Sequence, residues 1–193
     1  VNDYVDLGSV ACGAIRTISV WFNLNRPANP SLTEEMTIID RNGDDGSGRN
    51  SFGILFAGGN FGPLDPLFKG RLVFDRNVGV PVSYVSSDTN QWATGQWHHV
   101  VGVIDPTAGM SLYVDGVKQS ETHSSAEPSS ISAEPETLGR WGDLSIRHFK
   151  GRMDDLRLYT RALGPTEIAG LYTNAGGSVT YDLLTVAGSP SAR

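Results

Sequence analysis

Two aspartates stand at the start of rows of apolar side chains, where a carboxylate needs a partner. In the strand predicted over residues 153–159, alternation puts Asp154 on the same face as Leu156 and Leu158. Asp3 heads a similar row near the start of the chain. An unpaired buried charge costs several kcal/mol or is neutralised by protonation. The pattern therefore predicts either a cation such as calcium, which takes oxygen ligands, or backbone N–H groups that donate to each carboxylate.

A second group of residues has the chemistry of a sugar-binding site. Trp141 follows Arg140 at the end of a predicted strand, and Asp143 stands two residues later. A tryptophan ring offers its apolar face to the C–H side of a pyranose, while charged groups bind the hydroxyls. Trp92 lies in a predicted turn and is a second candidate for stacking on a sugar. For both tryptophans, packing against a sheet is the alternative that the sequence leaves open.

The histidines do not have the spacing of a zinc or general-base site. Because consecutive side chains of a strand point to opposite faces, His98 and His99 cannot bind one ion together. The glycine-rich segment 41–50 carries two carboxylates, but it lacks the ligand spacing and the closing Glu of a calcium-binding loop. We interpret that segment as a solvated connection between strands.

These residues must be positioned by β-strands, because alternating apolar residues recur along most of the chain. The clearest strand is 17–24, with a core face formed by Ile18, Val20, Phe22 and Leu24. Further strands are predicted over 3–7, 36–40, 51–57, 71–75, 80–86, 96–105, 110–114 and from 117 onward.

One short helix is predicted near the C-terminus. Gly164 stands at the cap and Pro165 at the first helical position, where a missing N–H costs nothing. Ile168, Leu171 and Tyr172 follow at helical spacing, so the helix presents an apolar face to the strands.

The run 151–163, Gly-Arg-Met-Asp-Asp-Leu-Arg-Leu-Tyr-Thr-Arg-Ala-Leu, resembles the closing strand of the laminin-G-like family of concanavalin A-like domains. Segments 3–8 and 18–22, then 95–100 and 112–116, fit the same family in the same order. The resemblance implies an all-β fold, a jelly-roll sandwich of two curved antiparallel sheets with one short helix near the C-terminus. In that family the first and closing strands are neighbours, so Asp3 and Asp154 could share a structural calcium ion, as in some members.

Enzymes on the same fold, such as β-glucanases, carry a tight cluster of carboxylates on one sheet. Retaining hydrolysis uses two carboxyl groups about 5–5.5 Å apart. No Glu-x-Asp-x-x-Glu run occurs here, and Pro135 between Glu134 and Glu136 argues for a loop or an edge strand. The surrounding segment 120–136 is too polar for the core. We therefore expect no catalytic activity.

The composition disfavours several other classes of protein. The net charge is -6 and the pI about 5.1, with no cluster of Lys or Arg, so nucleic acid is not an expected partner. Cys12 is the single cysteine and cannot form an internal disulfide. No stretch approaches the ~20 apolar residues of a membrane span. Because residue 1 is Val rather than Met, we expect a module of a larger protein.

The sequence thus predicts one laminin-G-like domain over residues 1–175, followed by a C-terminal extension or an added edge strand over 176–193. We expect a non-catalytic recognition module of a secreted or cell-surface protein, with carbohydrate as the leading ligand. The alternatives are a module that binds or adheres to an extracellular protein, and a structural spacer. Exposed rings beside polar side chains would favour sugar, whereas a flat apolar patch would favour protein.

Overall fold

The chain folds into two antiparallel β-sheets that pack face to face. The computed structural model describes residues 4–8, 15–41, 50–59, 65–78, 83–123, 136–141 and 147–174. The strands in these residues are β1 (Val5–Gly8), β2 (Thr17–Leu24), β3 (Met36–Arg41), β4 (Asn50–Phe56), β5 (Leu72–Val78), β6 (Ser83–Ser86), β7 (Trp97–Asp105), β8 (Gly109–Val114), β9 (Val117–His123), β10 (Glu136–Leu138) and β11 (Gly151–Tyr159). The six-stranded sheet has the order β1-β10-β3-β4-β5-β6, and the five-stranded sheet has the order β11-β2-β7-β8-β9.

The core lies between the sheets and is filled by alternate side chains of each strand. The predicted core face of β2 is confirmed, since its four apolar side chains are all buried there. On the six-stranded sheet, a facing row runs in register through Ile39, Ile54, Phe74 and Val85. Side chains one residue along from this row point away from the core. We call the surface that they form the outer face of the six-stranded sheet.

The two sheets approach closely where β7 crosses β5. A Cβ at Gly102 would lie 2.8 Å from Cγ of Phe74, far inside ordinary van der Waals contact. The Phe74 ring therefore occupies the space that a side chain at position 102 would take.

One lateral side of the sandwich is closed by hydrogen bonds between the sheets. The N–H of Ser86 donates to Oε2 of Glu121 at 2.7 Å, and the N–H of Asp88 donates to Oε1 of Gln119 at 2.8 Å. These bonds join β6 and the residues after it to β9.

The opposite lateral side contains a cavity of about 420 Å³. Tyr4, Val5 and Leu138 line it from the six-stranded sheet and its edge, and Met153 and Asp154 line it from β11. This side of the sandwich is thus more open than the side that β6 and β9 close.

A bulge in β11 changes the face on which Asp154 lies. The pairing with β2 shifts between Asp154 and Arg157, and Asp155 has a φ of 50°. Met153 and Leu156 pack against the core, whereas Asp154 is exposed and its Oδ1 accepts the N–H of Asp155 at 2.8 Å. The prediction that Asp154 shares an apolar face is wrong, because a bulge adds a residue and interrupts the alternation.

The predicted helix is confirmed as α2 (Pro165–Thr173), and the short α1 (Asp65–Phe68) was not predicted. The carboxylate of Glu167 accepts the N–H of Gly164 at 2.9 Å and so caps the first turn of α2. Ile168 and Leu171 are buried against the outer side of the five-stranded sheet. Within the described part of the chain, neither helix is long and apolar enough to cross a membrane.

The expectation that segment 120–136 lies wholly on the surface is wrong at its end. Glu136 is fully buried at the start of β10. Several predictions lie outside the described residues: those for Asp3, Cys12, Asp143, Glu134, residues 42–49 and residues 176–193.

Candidate functional site

A polar row crosses the outer face of the six-stranded sheet. Thr137 of β10 pairs with Asp40 of β3, Asp40 with Gly53 of β4, and Gly53 with Asp75 of β5. Asp40 is only 2% exposed. Carboxylates are seldom buried on a sheet face unless they are paired or functional, so this row is the first candidate for a site.

The glycine in this row leaves space for two carboxylates. A Cβ at Gly53 would lie 2.9 Å from Oδ1 of Asp40 and 3.1 Å from Oδ1 of Asp75. The two oxygens are therefore no farther apart than the sum of those distances. Two ionised carboxylates held this close would repel each other strongly in a buried setting.

The pKa of Asp75 is raised in this setting, chiefly by burial. Burial raises the pKa of Asp75 from 3.8 to about 7, and the negative charge of Glu35 adds to the rise. The positive charge of Arg147 and the backbone N–H groups of Asp75 and Gly53 lower the pKa, but they do not offset burial. Near neutral pH, Asp75 therefore exchanges between its neutral and ionised forms.

An ion pair whose charges act on Asp75 also contacts a tryptophan ring. Nη1 of Arg147 lies 2.7 Å from Oε2 of Glu35, whose side chain is 2% exposed. The guanidinium Cζ of Arg147 lies 3.6 Å from the centroid of the Trp141 ring, which is a cation–π geometry. Trp141 itself is partly exposed. We call these three residues the Glu35–Arg147–Trp141 stack.

The sequence predicts a rim of Arg140, Trp141 and Asp143. The structure describes the first two, and they contact different partners. Arg140 and Trp141 follow β10 as expected, but the guanidinium of Arg140 lies 3.6 Å from the ring centroid of Tyr4. The arginine that meets Trp141 is Arg147. The structure thus brings Trp141 together with a guanidinium that comes from a later part of the chain.

Trp92 is a core residue. It is 4% exposed, and its ring lies 5.5 Å from that of Phe56 and 5.2 Å from that of His98. Its backbone N–H donates to the carbonyl of Ala28 at 2.8 Å. The ring is enclosed, so the prediction that it stacks on a sugar is wrong and the packing alternative is correct.

The predicted calcium ligands are only partly described. Tyr4, which follows Asp3 in the chain, and Asp154 line the same cavity, so the two chain segments do come near each other. The neighbouring Asp155 carboxylate is held by two hydrogen bonds from Arg157 at 2.6 Å each. Among the described residues there is no group of three or more His, Cys, Asp or Glu that could hold a metal ion. Calcium therefore stays a prediction.

The adjacent histidines point to opposite faces, as predicted. His98 packs on core rings, whereas His99 stacks on Trp21 with the ring centroids 5.0 Å apart. Nε2 of His99 lies 2.8 Å from Oγ of Ser19. Burial lowers the pKa of His99 to about 4, so the ring is neutral at physiological pH. His99 is buried, and the partly buried His98 has its Nδ1 2.8 Å from Oδ2 of Asp115, so the pair fits a structural role better than nucleophilic catalysis.

Sequence reasoning missed the four charged residues of this region, which are Glu35, Asp40, Asp75 and Arg147. The four come from separate segments of the chain, and a bulge in β3 between Thr37 and Ile39 breaks the alternation before Asp40. Only the pairing of β3, β4 and β5 brings the carboxylates together, and a single strand does not reveal its register.

The Trp141 ring is an accessible part of this arrangement. The carboxylates of Glu35 and Asp40 are too enclosed to touch a substrate as they stand, whereas the Trp141 ring is partly exposed. A rigid, partly exposed ring beside polar groups can take the apolar side of a polar ligand.

Comparison with solved structures finds the same fold in several carbohydrate-active proteins. Domain 4 of AbnA, a GH43 extracellular arabinanase from Geobacillus stearothermophilus in complex with arabinotriose, is 22% identical with a TM-score of 0.58, over 82% of this chain and 66% of that one. The NanB sialidase from Streptococcus pneumoniae in complex with a chlorobenzylammonio-ethanesulfonate is 21% identical with a TM-score of 0.65, over 88% of this chain and 26% of that one. The CBM40 of a Ruminococcus gnavus IT-sialidase bound to α2,3-sialyllactose is 12% identical with a TM-score of 0.61, over 82% of each chain.

The chain spans 66% of the arabinanase domain and 26% of the NanB sialidase. At these identities the likeness concerns the fold. No curated protein sequence matches the chain. The model of one family matches residues 1–169, and that family is described as the concanavalin A-like lectin/glucanases superfamily. The resemblance in the closing strand is thereby confirmed, and the chain belongs to the concanavalin A-like lectin/glucanases superfamily.

Proposed function

We propose that this chain is a non-catalytic carbohydrate-binding module of a larger extracellular protein, and that Trp141 is its stacking surface. The observation that carries the proposal is the Glu35–Arg147–Trp141 stack. It presents a partly exposed indole ring that is backed by a guanidinium. Such a ring offers the C–H side of a sugar a flat apolar surface, and the partly exposed side chains of Arg147 and Asp75 are the polar groups of this region that can meet the hydroxyl groups.

The comparisons support carbohydrate as the ligand class. Two of the similar structures hold an oligosaccharide, arabinotriose in one and α2,3-sialyllactose in the other. Because one fold hosts many unrelated sites, this support concerns the class of ligand and not the particular glycan.

Replacing Trp141 tests the site. We expect Trp141→Ala to weaken the binding of a glycan, first identified on an array, by at least about tenfold, or ~1.4 kcal/mol. The free energy of unfolding should fall by only about 1 kcal/mol, since the ring lies outside the core clusters and loses mainly a cation–π contact. Calorimetric titration and urea unfolding of the same preparations measure both quantities.

Trp97→Ala is a matched control, because Trp97 is 43% exposed at the start of β7 in the other sheet. Its affinity for the glycan should equal that of the wild type. A loss of stability of roughly 3–5 kcal/mol in Trp141→Ala would identify a ring needed for packing instead. Unaltered binding of a confirmed glycan, or binding of a protein and no glycan, would overturn the proposal. Sustained hydrolysis of a polysaccharide by repurified protein would overturn its non-catalytic part.

A further inference from the structure

We propose that Glu35 and Arg147 are positioning residues, which hold the Trp141 ring in the orientation in which it meets a ligand. The inference rests on the proposed function and adds to it that affinity depends on a buried carboxylate that the ligand does not touch. It follows from how each member of the Glu35–Arg147–Trp141 stack is fixed in place.

Glu35 is held by the backbone around it. A Cβ at Gly58 would lie 2.5 Å from the nitrogen of Glu35 and 2.3 Å from the carbonyl carbon of Glu34, so the two chain segments pack backbone to backbone. The Glu35 side chain is 2% exposed. Its carboxylate is therefore a fixed, enclosed charge, and the partner that it holds is fixed with it.

Arg147 is held at its backbone as well as at its side chain. Its carbonyl accepts the N–H of Thr37 at 2.9 Å, and the next residue, His148, forms a parallel bridge with Thr37. The φ of Arg147 is 55°, a left-handed conformation that is uncommon for a residue with a side chain. Such a conformation persists where the surrounding structure imposes it, often at a functional site.

One face of the Trp141 ring is covered by Arg147, whose position these constraints fix. The guanidinium of Arg147 covers that face with Cζ 3.6 Å from the ring centroid. Among the described residues no other ring or cation stacks on Trp141, and none of the three core clusters includes it. An enclosed ion pair that orients a ring outside the core does little for packing, but it provides a binding surface whose geometry is set before the ligand arrives.

The ion pair of Glu34, one residue before Glu35, is exposed, whereas that of Glu35 is enclosed. Glu34 forms a pair with Arg26 at 3.9 Å, and their side chains are 70% and 43% exposed. Surface pairs of this kind order their partners weakly. Glu34→Gln is therefore a control one residue away from Glu35→Gln, with the same chemical change.

The mobility of the Trp141 ring can be measured without any ligand. The four tryptophans are replaced by 5-fluorotryptophan, and the Trp141 ¹⁹F signal is identified by its loss in Trp141→Phe. We expect Glu35→Gln and Arg147→Lys each to shift and sharpen that signal, because the ring becomes mobile, while Glu34→Gln leaves it unchanged. Arg147→Lys keeps the charge beside Glu35 and removes the planar stack, so it tests the idea even if Glu35→Gln fails to fold. An unchanged Trp141 signal in both variants overturns the inference.

Affinity separates this inference from the proposed function. For the glycan that the wild type binds, we expect Glu35→Gln and Arg147→Lys to lose about tenfold in affinity, with Glu34→Gln unaffected. If Trp141→Ala abolishes binding while both variants bind like the wild type, the site stands and the positioning role is wrong. If Trp141→Ala itself binds normally, the proposed function fails and this inference fails with it.

Discussion

At the scale of single residues, the protonation of Asp75 controls how much negative charge the outer face holds. Its pKa rises from 3.8 in the unfolded chain to about 7 in the folded one, so the folded state binds the proton more tightly. The stability due to this proton is complete below pH 4 and is lost as the pH rises towards 7. Above that pH the loss levels off.

The wild type should therefore lose stability between about pH 4 and pH 7. We expect Asp75→Asn to show no such loss. An amide cannot ionise, so the variant should be more stable than the wild type at pH 8. At 1.36 kcal/mol per pKa unit the gain has an upper limit on the order of 4 kcal/mol, and the partial exposure of Asp75 reduces it. Urea unfolding at several pH values measures the difference.

Asp105→Asn provides a control, because folding lowers the pKa of Asp105 whereas it raises that of Asp75. The N–H groups of Ala108 and Thr107 lower the pKa of Asp105, so its contribution is lost as the pH falls and not as it rises. This variant should keep the wild-type slope between pH 5 and pH 7. A wild-type curve without any slope in that range would contradict the role given to Asp75.

At the scale of elements, the approach of β7 to β5 depends on a residue without a side chain. We expect Gly102→Ala to destabilise the fold by about 1–3 kcal/mol, because the added methyl group would overlap the Phe74 ring. Phe74→Leu in the same chain should recover part of the loss, since it vacates the space that the methyl group needs. Urea unfolding of the two single variants and the double variant gives the coupling energy. Additive effects would show that the two positions do not compete for space.

At the scale of the whole molecule, the two lateral sides of the sandwich are held differently. One side is closed by hydrogen bonds between β6 and β9, and the other contains the cavity lined by Tyr4 and Asp154. If calcium joins the chain segments at the open side, it binds the folded state only. Calcium should then raise the Tm, with about 2.7 kcal/mol of stabilisation at a hundredfold excess over Kd.

Asp154→Ala should abolish that response, whereas Asp88→Ala on the closed side should retain it. Melting curves in excess calcium and in excess chelator measure the effect. Curves that coincide for the wild type would show that no calcium ion stabilises the fold.

Much of the fold was predictable because it follows from local patterns. The core face of β2, the helix α2 with Gly164 at its cap, and the opposite faces of His98 and His99 all follow from the spacing of residues along one segment. Where an irregularity interrupts the spacing, the same reasoning fails. The bulge in β11 exposes Asp154, and the bridge between Ala28 and Trp92 places that ring in the core.

The sequence by itself determined an all-β sandwich of the concanavalin A-like superfamily and singled out Trp141, because alternation and the closing-strand motif are properties of contiguous residues. Only the tertiary structure decided what surrounds that ring. Asp40, Gly53 and Asp75 meet through the register of three strands, and Glu35 meets Arg147 across more than a hundred residues of chain. Register and burial arise when distant segments pack, so no single segment specifies which charges are enclosed together.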